Sequence, residues 1–155
     1  MIDPRKFRDA LACYPTGVTL VATRFSERNV AMTVNSFASV SLEPPLILWS
    51  VGRDSDRYPA FAGATHFSVN ILAADQADLA QRYALEAELD VGDWEISDTG
   101  TPILKKALAH LECRRHAVHR GGDHDIIVGH VERLDSRGKG AALTFFRSQY
   151  GSADD

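Results

Sequence analysis

Cysteine is scarce: Cys13 and Cys113 are the only two, and they lie far apart in the chain. A domain of this size needs no disulfide staple, and two isolated cysteines cannot complete a zinc site. The expectation is two reduced, buried thiols in a cytoplasmic protein. Long hydrophobic runs are missing too. The longest, Pro44 to Val51, has strand length, against the ~20 residues that cross a bilayer. Residues 1–6 lack the apolar core of a signal peptide, so no membrane association is expected. Lysine is sparse, with four against thirteen arginines, and the net charge is −4. That balance argues against a dedicated nucleic-acid binder. Arginine suits bidentate phosphate and carboxylate contacts, although a high-GC coding bias gives the same excess.

Several chemical signatures are absent as well. No glycine-rich turn links a strand to a helix as a dinucleotide fingerprint, and there is no Walker loop. A Rossmann domain is therefore not expected. There is no G-x-S-x-G elbow and no set of Ser, His and acid. Cys113 has no activating neighbour, so no thiolate nucleophile is proposed. His116 and His119 would point to opposite faces of a strand, and no metal site is expected.

What is present reads as one globular domain over residues 1–155, with 45% hydrophobic and 25% charged residues. There is no repeat and no low-complexity linker. Asp3-Pro4 reads as an N-cap and first helical position, with Phe7 and Leu11 sharing a face, so residues 4–13 form a short helix. β-rich runs follow at 18–23, 30–37 and 45–51, the last two separated by Pro44-Pro45. Residues 56–62 read as one or two helical turns, and 66–71 alternate with period two. Asp75 reads as the cap of a helix to Leu85, with Leu79 and Tyr83 on one face. The acidic stretch from Glu86 to Asp98 reads as a solvated loop. In residues 107–113 a strand would turn Ala107, Ala109, Leu111 and Cys113 inward; helical periodicity is the rival. Residues 125–131 and 141–146 read as further strands, with a turn at Ser136-Arg137-Gly138, and the tail after Tyr150 as frayed. Six or seven strands and few helices predict an antiparallel barrel or sandwich.

Three polar clusters stand out. In residues 33–41 a continuous strand would put Thr33, Asn35, Phe37, Ser39 and Ser41 on one face, and Val34, Ser36, Ala38 and Val40 on the other. That pattern fits a groove lining, or simply a solvated strand. Residues 50–57 bring Ser50, Arg53, Ser55 and Arg57 together before a helix start, a phosphate cradle in composition. Asp54 and Asp56 oppose an anion there unless they point away; an ordinary capped turn is the plain alternative. Gly121-Gly122-Asp123-His124-Asp125 is a tight turn in which an aspartate can orient the histidine.

Together and in this order, several stretches resemble the short-chain flavin reductase family, the NAD(P)H:flavin oxidoreductases that feed two-component monooxygenases. They are residues 14–21, 32–37, 39–46 and 67–72, then Gln76 with Leu79-Ala80 and Tyr83-Ala84. Leu111-Glu112-Cys113, Gly122-Asp123-His124 with residues 128–131, and the closing 145–151 complete them. Ser-Val-Ser-Leu-Glu-Pro-Pro together with Gly-Asp-His carries the specificity. Ala31 stands where the family usually has glycine, and Val34 where a small residue is usual.

The resemblance implies a mainly β (α+β) fold: a split β-barrel of Greek-key, antiparallel order with a few short helices, forming a homodimer. It implies FMN or FAD as cofactor and NADH or NADPH as hydride donor. By position it places Thr33, Val34, Asn35 and Ser36 along the flavin. Ser50, Arg53, Asp54, Ser55 and Arg57 fall in the phosphate region, with Gln81 and Arg82 nearby. It puts His124 and Tyr150 on the nicotinamide side, His124 being the catalytic candidate. An oxygenase component fed by diffusible reduced flavin is the implied partner. Because the cofactors carry the reactivity, missing triads do not count against an enzyme. The rival readings are a flavin-binding electron carrier or sensor on the same fold, and a small-barrel binding module without flavin.

Overall fold

The computed structural model describes residues 1–154. Helix α1, Pro4–Leu11, starts as the sequence dictates: Asp3 Oδ1 accepts the Arg5 N–H at 2.8 Å, and Pro4 fills the first helical position. None of its side chains is buried. The strands then run β1 Thr16–Gly17, β2 Thr19–Phe25, β3 Arg28–Val34, β4 Ala38–Ser41 and β5 Leu46–Gly52. Helix α2, Tyr58–Gly63, leads to β6 His66–Ile71, and a 3-10 turn at Ala74–Gln76 leads to α3, Ala77–Leu85. The remainder is β7 Trp94–Ile96, β8 Pro102–Leu104, β9 Ala109–Gly121, β10 His124–Ser136, β11 Ala142–Phe146 and β12 Gln149–Ala153.

Seven strands form one antiparallel sheet in the order β3-β2-β6-β9-β10-β5-β4. The ladder does not close, since β3 and β4 are its two edges. The sheet nevertheless curls round a common core. Val30 and Val34 of β3 pack in one cluster with Ile47, Trp49 and Val51 of β5, from the far side of the sheet. Trp49 is fully buried, edge-on to Phe61 at 5.0 Å and to Phe67 at 6.0 Å. Gly129 makes this closure possible. A Cβ there would lie 2.6 Å from Phe67 Cζ and 3.0 Å from Cys113 Cβ, at a register shift between β9 and β10. The fold is thus the expected split barrel with few short helices, open along the seam between β3 and β4.

A second cluster, with Leu20, Leu72, Tyr83, Trp94 and Leu143, joins the other sheet face to α3 and to a three-stranded sheet of β1, β11 and β12. Four expectations change here. The tail is ordered: Gly151, Ser152 and Ala153 pair with Thr144, Leu143 and Ala142, so β12 covers the edge of β11. The acidic stretch is anchored by a buried Trp94, whose Nε1–H donates to Tyr83 Oη at 3.1 Å, and β7 pairs with β8. Asp75 does not cap α3; Gln76 Oε1 instead accepts the Ala73 N–H at 2.8 Å, and the 3-10 turn carries the chain into the helix. Cys113 is buried, but Cys13 is exposed, its thiol against the Asp9 carbonyl at 3.4 Å. Of residues 107–113, Ala109 onward is strand as preferred, with Cys113 inward, and Ala107-Leu108 lead into it.

Candidate functional site

Residues 33–41 are not one strand. β3 stops at Val34, residues 35–37 turn, and β4 resumes at Ala38. Thr33 is part-buried and donates its hydroxyl to the Ala80 carbonyl of α3 at 2.6 Å. Val34 packs its side chain into the first core and is not among the residues that line the groove. Asn35, Ser36, Phe37 and Ala38 line a groove of about 780 Å³. Its other walls come from Arg8 and Leu11 of α1, residues 14–19, Ile71, Phe145, Arg147 and Ser148. Tyr14, Leu11, Phe37 and Phe145 give it apolar walls, and Asn35 and Ser36 give it polar points.

Ser36 ties this loop to the second cluster: its Oγ accepts the Ser50 N–H at 2.9 Å, just beyond the end of the β4–β5 ladder. From Ser50, three residues of extended chain, roughly 10 Å, lead to Arg53 at the end of β5. There the second and third clusters meet. Arg53 N–H donates to the Asp123 carbonyl at 3.0 Å, and Arg53 Nη2 donates to the Gly122 carbonyl. Gly122, at φ 65°, supplies the left-handed turn that exposes this carbonyl. His124 pairs with Gly52 in the β5–β10 ladder. Gly52 lies beside the imidazole: a Cβ there would meet His124 Nε2 at an ordinary contact distance of 3.6 Å.

His124 Nδ1 lies 2.7 Å from Asp123 Oδ1, and its side chain is 49% exposed. That hydrogen bond is the main cause holding the Asp123 carboxyl below its ordinary pKa. Asp123 is therefore the group that orients the imidazole. Asp125 has other work: its Oδ2 accepts the Tyr58 hydroxyl at 2.5 Å, and its Oδ1 is 3.6 Å from Arg53 Nη1. The Tyr58 pKa is raised, first by this bond.

The two arginines of the turn, four residues apart, have different fates. Arg53 keeps N–H donors free beyond its hairpin contacts. Arg57 is 6% exposed and donates from Nη1 to the carbonyls of Ala31, at 3.1 Å, and Tyr83. Burial lowers its pKa below the ordinary guanidinium value, with Asp56 opposing. Arg57 is thus a buried brace between β3 and α3, set apart from the more exposed Arg53 of the expected phosphate cradle. Ser55 shapes the turn, its Oγ accepting the Arg57 N–H at 3.2 Å. Asp54 is exposed and would contact a Cβ on Gly52 at 3.2 Å; Asp56 turns outward, with its side chain 85% exposed. α2 has only six residues and no side-chain cap, so it adds little dipole to the cradle.

Gln81 is exposed on α3. Arg82 pairs with Glu86 at 3.1 Å and Asp90 at 3.2 Å, which raises its pKa and leaves little net charge for an anion. Tyr150 lies in the small sheet with its ring 5.3 Å from Phe145, away from the His124 hairpin within this chain. Sequence reasoning missed Arg8, Arg147, Tyr58 and the anchoring role of Asp125.

A flavin fits these residues in kind. An apolar groove with an amide and a hydroxyl suits a ring system, and Arg53, Ser55 and backbone N–H groups of the turn linked to it through Ser36 and Ser50 suit a phosphate. Comparison with known proteins agrees. The flavin reductase like domain model matches residues 11–154. An NADH-dependent FMN reductase, SmoA of Agrobacterium fabrum, is 49% identical over 96% of this chain and 86% of its own length. HsaB of Mycobacterium tuberculosis, a reductase subunit of a flavin-dependent monooxygenase, is 37% identical over 96% of this chain and 82% of its own. Among solved structures, BorF, the flavin reductase component of a bacterial two-component tryptophan halogenase, superposes with a TM-score of 0.91 at 34% identity, covering 99% of each chain. An NADH:FAD oxidoreductase of Streptomyces globisporus gives 0.90 at 33%, covering 97% of this chain and 95% of that one. With a groove, a phosphate-suited turn and a Gly-Asp-His hairpin joined along β5, and a family model matched over residues 11–154, the chain belongs to the flavin reductase like family.

Proposed function

We propose that the chain is an NAD(P)H-dependent flavin reductase acting as one domain. It passes a hydride from the nicotinamide to FMN or FAD and supplies reduced flavin to a partner monooxygenase. The observation that carries this reading is the meeting of three clusters. The Asn35–Ser36 loop, the Arg53 turn and the His124 hairpin are joined by the Ser36–Ser50 and Arg53–Asp123 hydrogen bonds.

Bound, the flavin supplies the hydride acceptor. The chain's own residues do the positioning. Asn35 and Ser36 offer polar contacts along the ring, with Phe37 as wall, and Thr33 and Val34 offer backbone only. Arg53 and Ser55 hold the phosphate, with Ser50 and Asp54 in the same turn and Gln81 and Arg82 at the periphery. His124, its tautomer set by Asp123, donates from Nε2 to the nicotinamide or its phosphates. Tyr150 reaches a dinucleotide only if a second chain brings the small sheet near.

That fits a homodimer. α1 buries none of its own residues, leaving Phe7 54% and Leu11 57% exposed beside the groove, with Tyr14 at 76%. An apolar stripe of this kind is covered by a second copy. No helix among the described residues is long and apolar enough to cross a membrane. With two unpaired cysteines, the compartment proposed is the cytoplasm.

The test is NAD(P)H consumption with and without added FMN or FAD. Rapid oxidation that depends on added flavin is expected. Its absence with both flavins and both nicotinamides retires the reductase reading, and retained flavin without turnover points to an electron carrier.

A further inference from the structure

Asp125 is the side chain that touches both halves of the site. It neighbours His124 in β10 and faces Arg120 across the hairpin and Val51 across the other ladder. Its side chain is 13% exposed, with one carboxylate oxygen 3.6 Å from Arg53 Nη1 and the other accepting Tyr58 Oη–H at 2.5 Å. The Arg53 guanidinium is thereby held between a carboxylate and the Gly122 carbonyl.

We infer that Asp125 is a positioning residue that fixes Arg53 for a flavin phosphate and, through the same contacts, fixes the hairpin presenting His124 to the nicotinamide. This rests on the flavin reductase reading. A free arginine would lose its rotamer freedom only when the phosphate arrived; here that loss is taken on folding, and the remaining N–H donors are left for the ligand. His124 cannot be the reason for Asp125, because Asp123 already holds its Nδ1. Tyr58 anchors the opposite carboxylate oxygen, so the Asp125 group cannot swing away from Arg53.

The charge of Asp125 gives the inference a sign. A carboxylate beside the phosphate turn repels an anion. If Asp125 acted by charge alone, its removal would tighten FMN binding; if it positions Arg53, removal weakens it. Asp125→Asn keeps the shape and an acceptor for Tyr58, while Asp125→Ala removes both. FMN and riboflavin are titrated by flavin fluorescence on parent and variants, with thermal melts as the folding check.

The expected result is about tenfold weaker FMN binding with riboflavin, which lacks the phosphate, within about twofold. KM for NADH rises severalfold, with kcat changed much less. Tyr58→Phe, which removes one hydroxyl, shifts the FMN-to-riboflavin ratio in the same direction and serves if the Asp125 variants do not fold. Unchanged or tighter FMN binding overturns the inference, as does equal loss of both flavins, which would mark a purely structural residue. A parent that binds neither flavin overturns the reductase reading itself.

Discussion

Arg57 reaches back to Ala31, donating from Nη1 to its carbonyl at 3.1 Å, and the same nitrogen serves the carbonyl of Tyr83. One guanidinium therefore pins the middle of β3 to the end of α3. Replacing it leaves two carbonyls without their donor inside the protein. Arg57→Ala is expected to lower stability by roughly 2–4 kcal/mol in urea unfolding, while the folded protein binds FMN nearly as the parent does. Arg53→Ala is expected to do the reverse, losing FMN affinity about tenfold with riboflavin spared. Lost FMN binding without lost stability in Arg57→Ala would return that residue to the cradle.

His124→Ala is expected to raise KM for NADH or slow flavin reduction, with flavin affinity kept. Asp123→Asn, which alters the partner at Nδ1, is expected to follow it more weakly. Steady-state kinetics alongside a flavin titration separate the outcomes. Unchanged NADH kinetics would make His124 a solvated turn residue, and lost flavin binding would move it to the flavin.

Burial, aided by Glu132 and Glu112, pushes the Cys113 thiol up from 9.0 to about 12. Above 9.0 the unfolded chain sheds this proton while the folded chain keeps it. The unfolded state then binds fewer protons, and stability falls as pH rises between 9.0 and about 12. The loss from this group is at most about 1.4 kcal/mol per pH unit. Equilibrium unfolding across that window should show a steeper decline in the parent than in Cys113→Ala. Alkylation at pH 8 should label Cys13 and spare Cys113, since only Cys13 is exposed.

If α1 is covered by a second copy, light scattering should give twice the 17.0 kDa of one chain. Phe7→Ser combined with Leu11→Ser should shift that mass toward the single chain. A parent that stays monomeric with flavin bound ends the dimer reading.

The strands were legible because their signals are local. Pro44-Pro45 forbids a helix, and 66–71 alternates with period two. The three clusters were legible as compositions, but their meeting was not. Arg53 and Gly122 are 69 residues apart, and nothing local distinguishes Arg53 from Arg57. Packing of β3 against α3 decides which guanidinium goes inside. The break at residues 35–37 was hidden because Asn35 and Ser36 suit a strand face as well as a turn; only the hydrogen bond to Ser50 reveals the turn. Trp94 was lost among carboxylates, since its partner Tyr83 lies outside any local window. The tail was misjudged for a similar reason. Gly151-Ser152-Ala153 has the composition of a fray, and a long-range ladder gives it structure.

Because β12 shields β11, the last few residues act as a guard as well as an end. Trimming the chain before Gln149 would strip the hydrogen-bonding edge of Ala142–Phe146, a segment with a buried Leu143 and two phenylalanines. A bare, apolar strand edge of that kind recruits other chains, so the shortened protein should come out of solution as aggregate even where its flavin-facing residues are untouched.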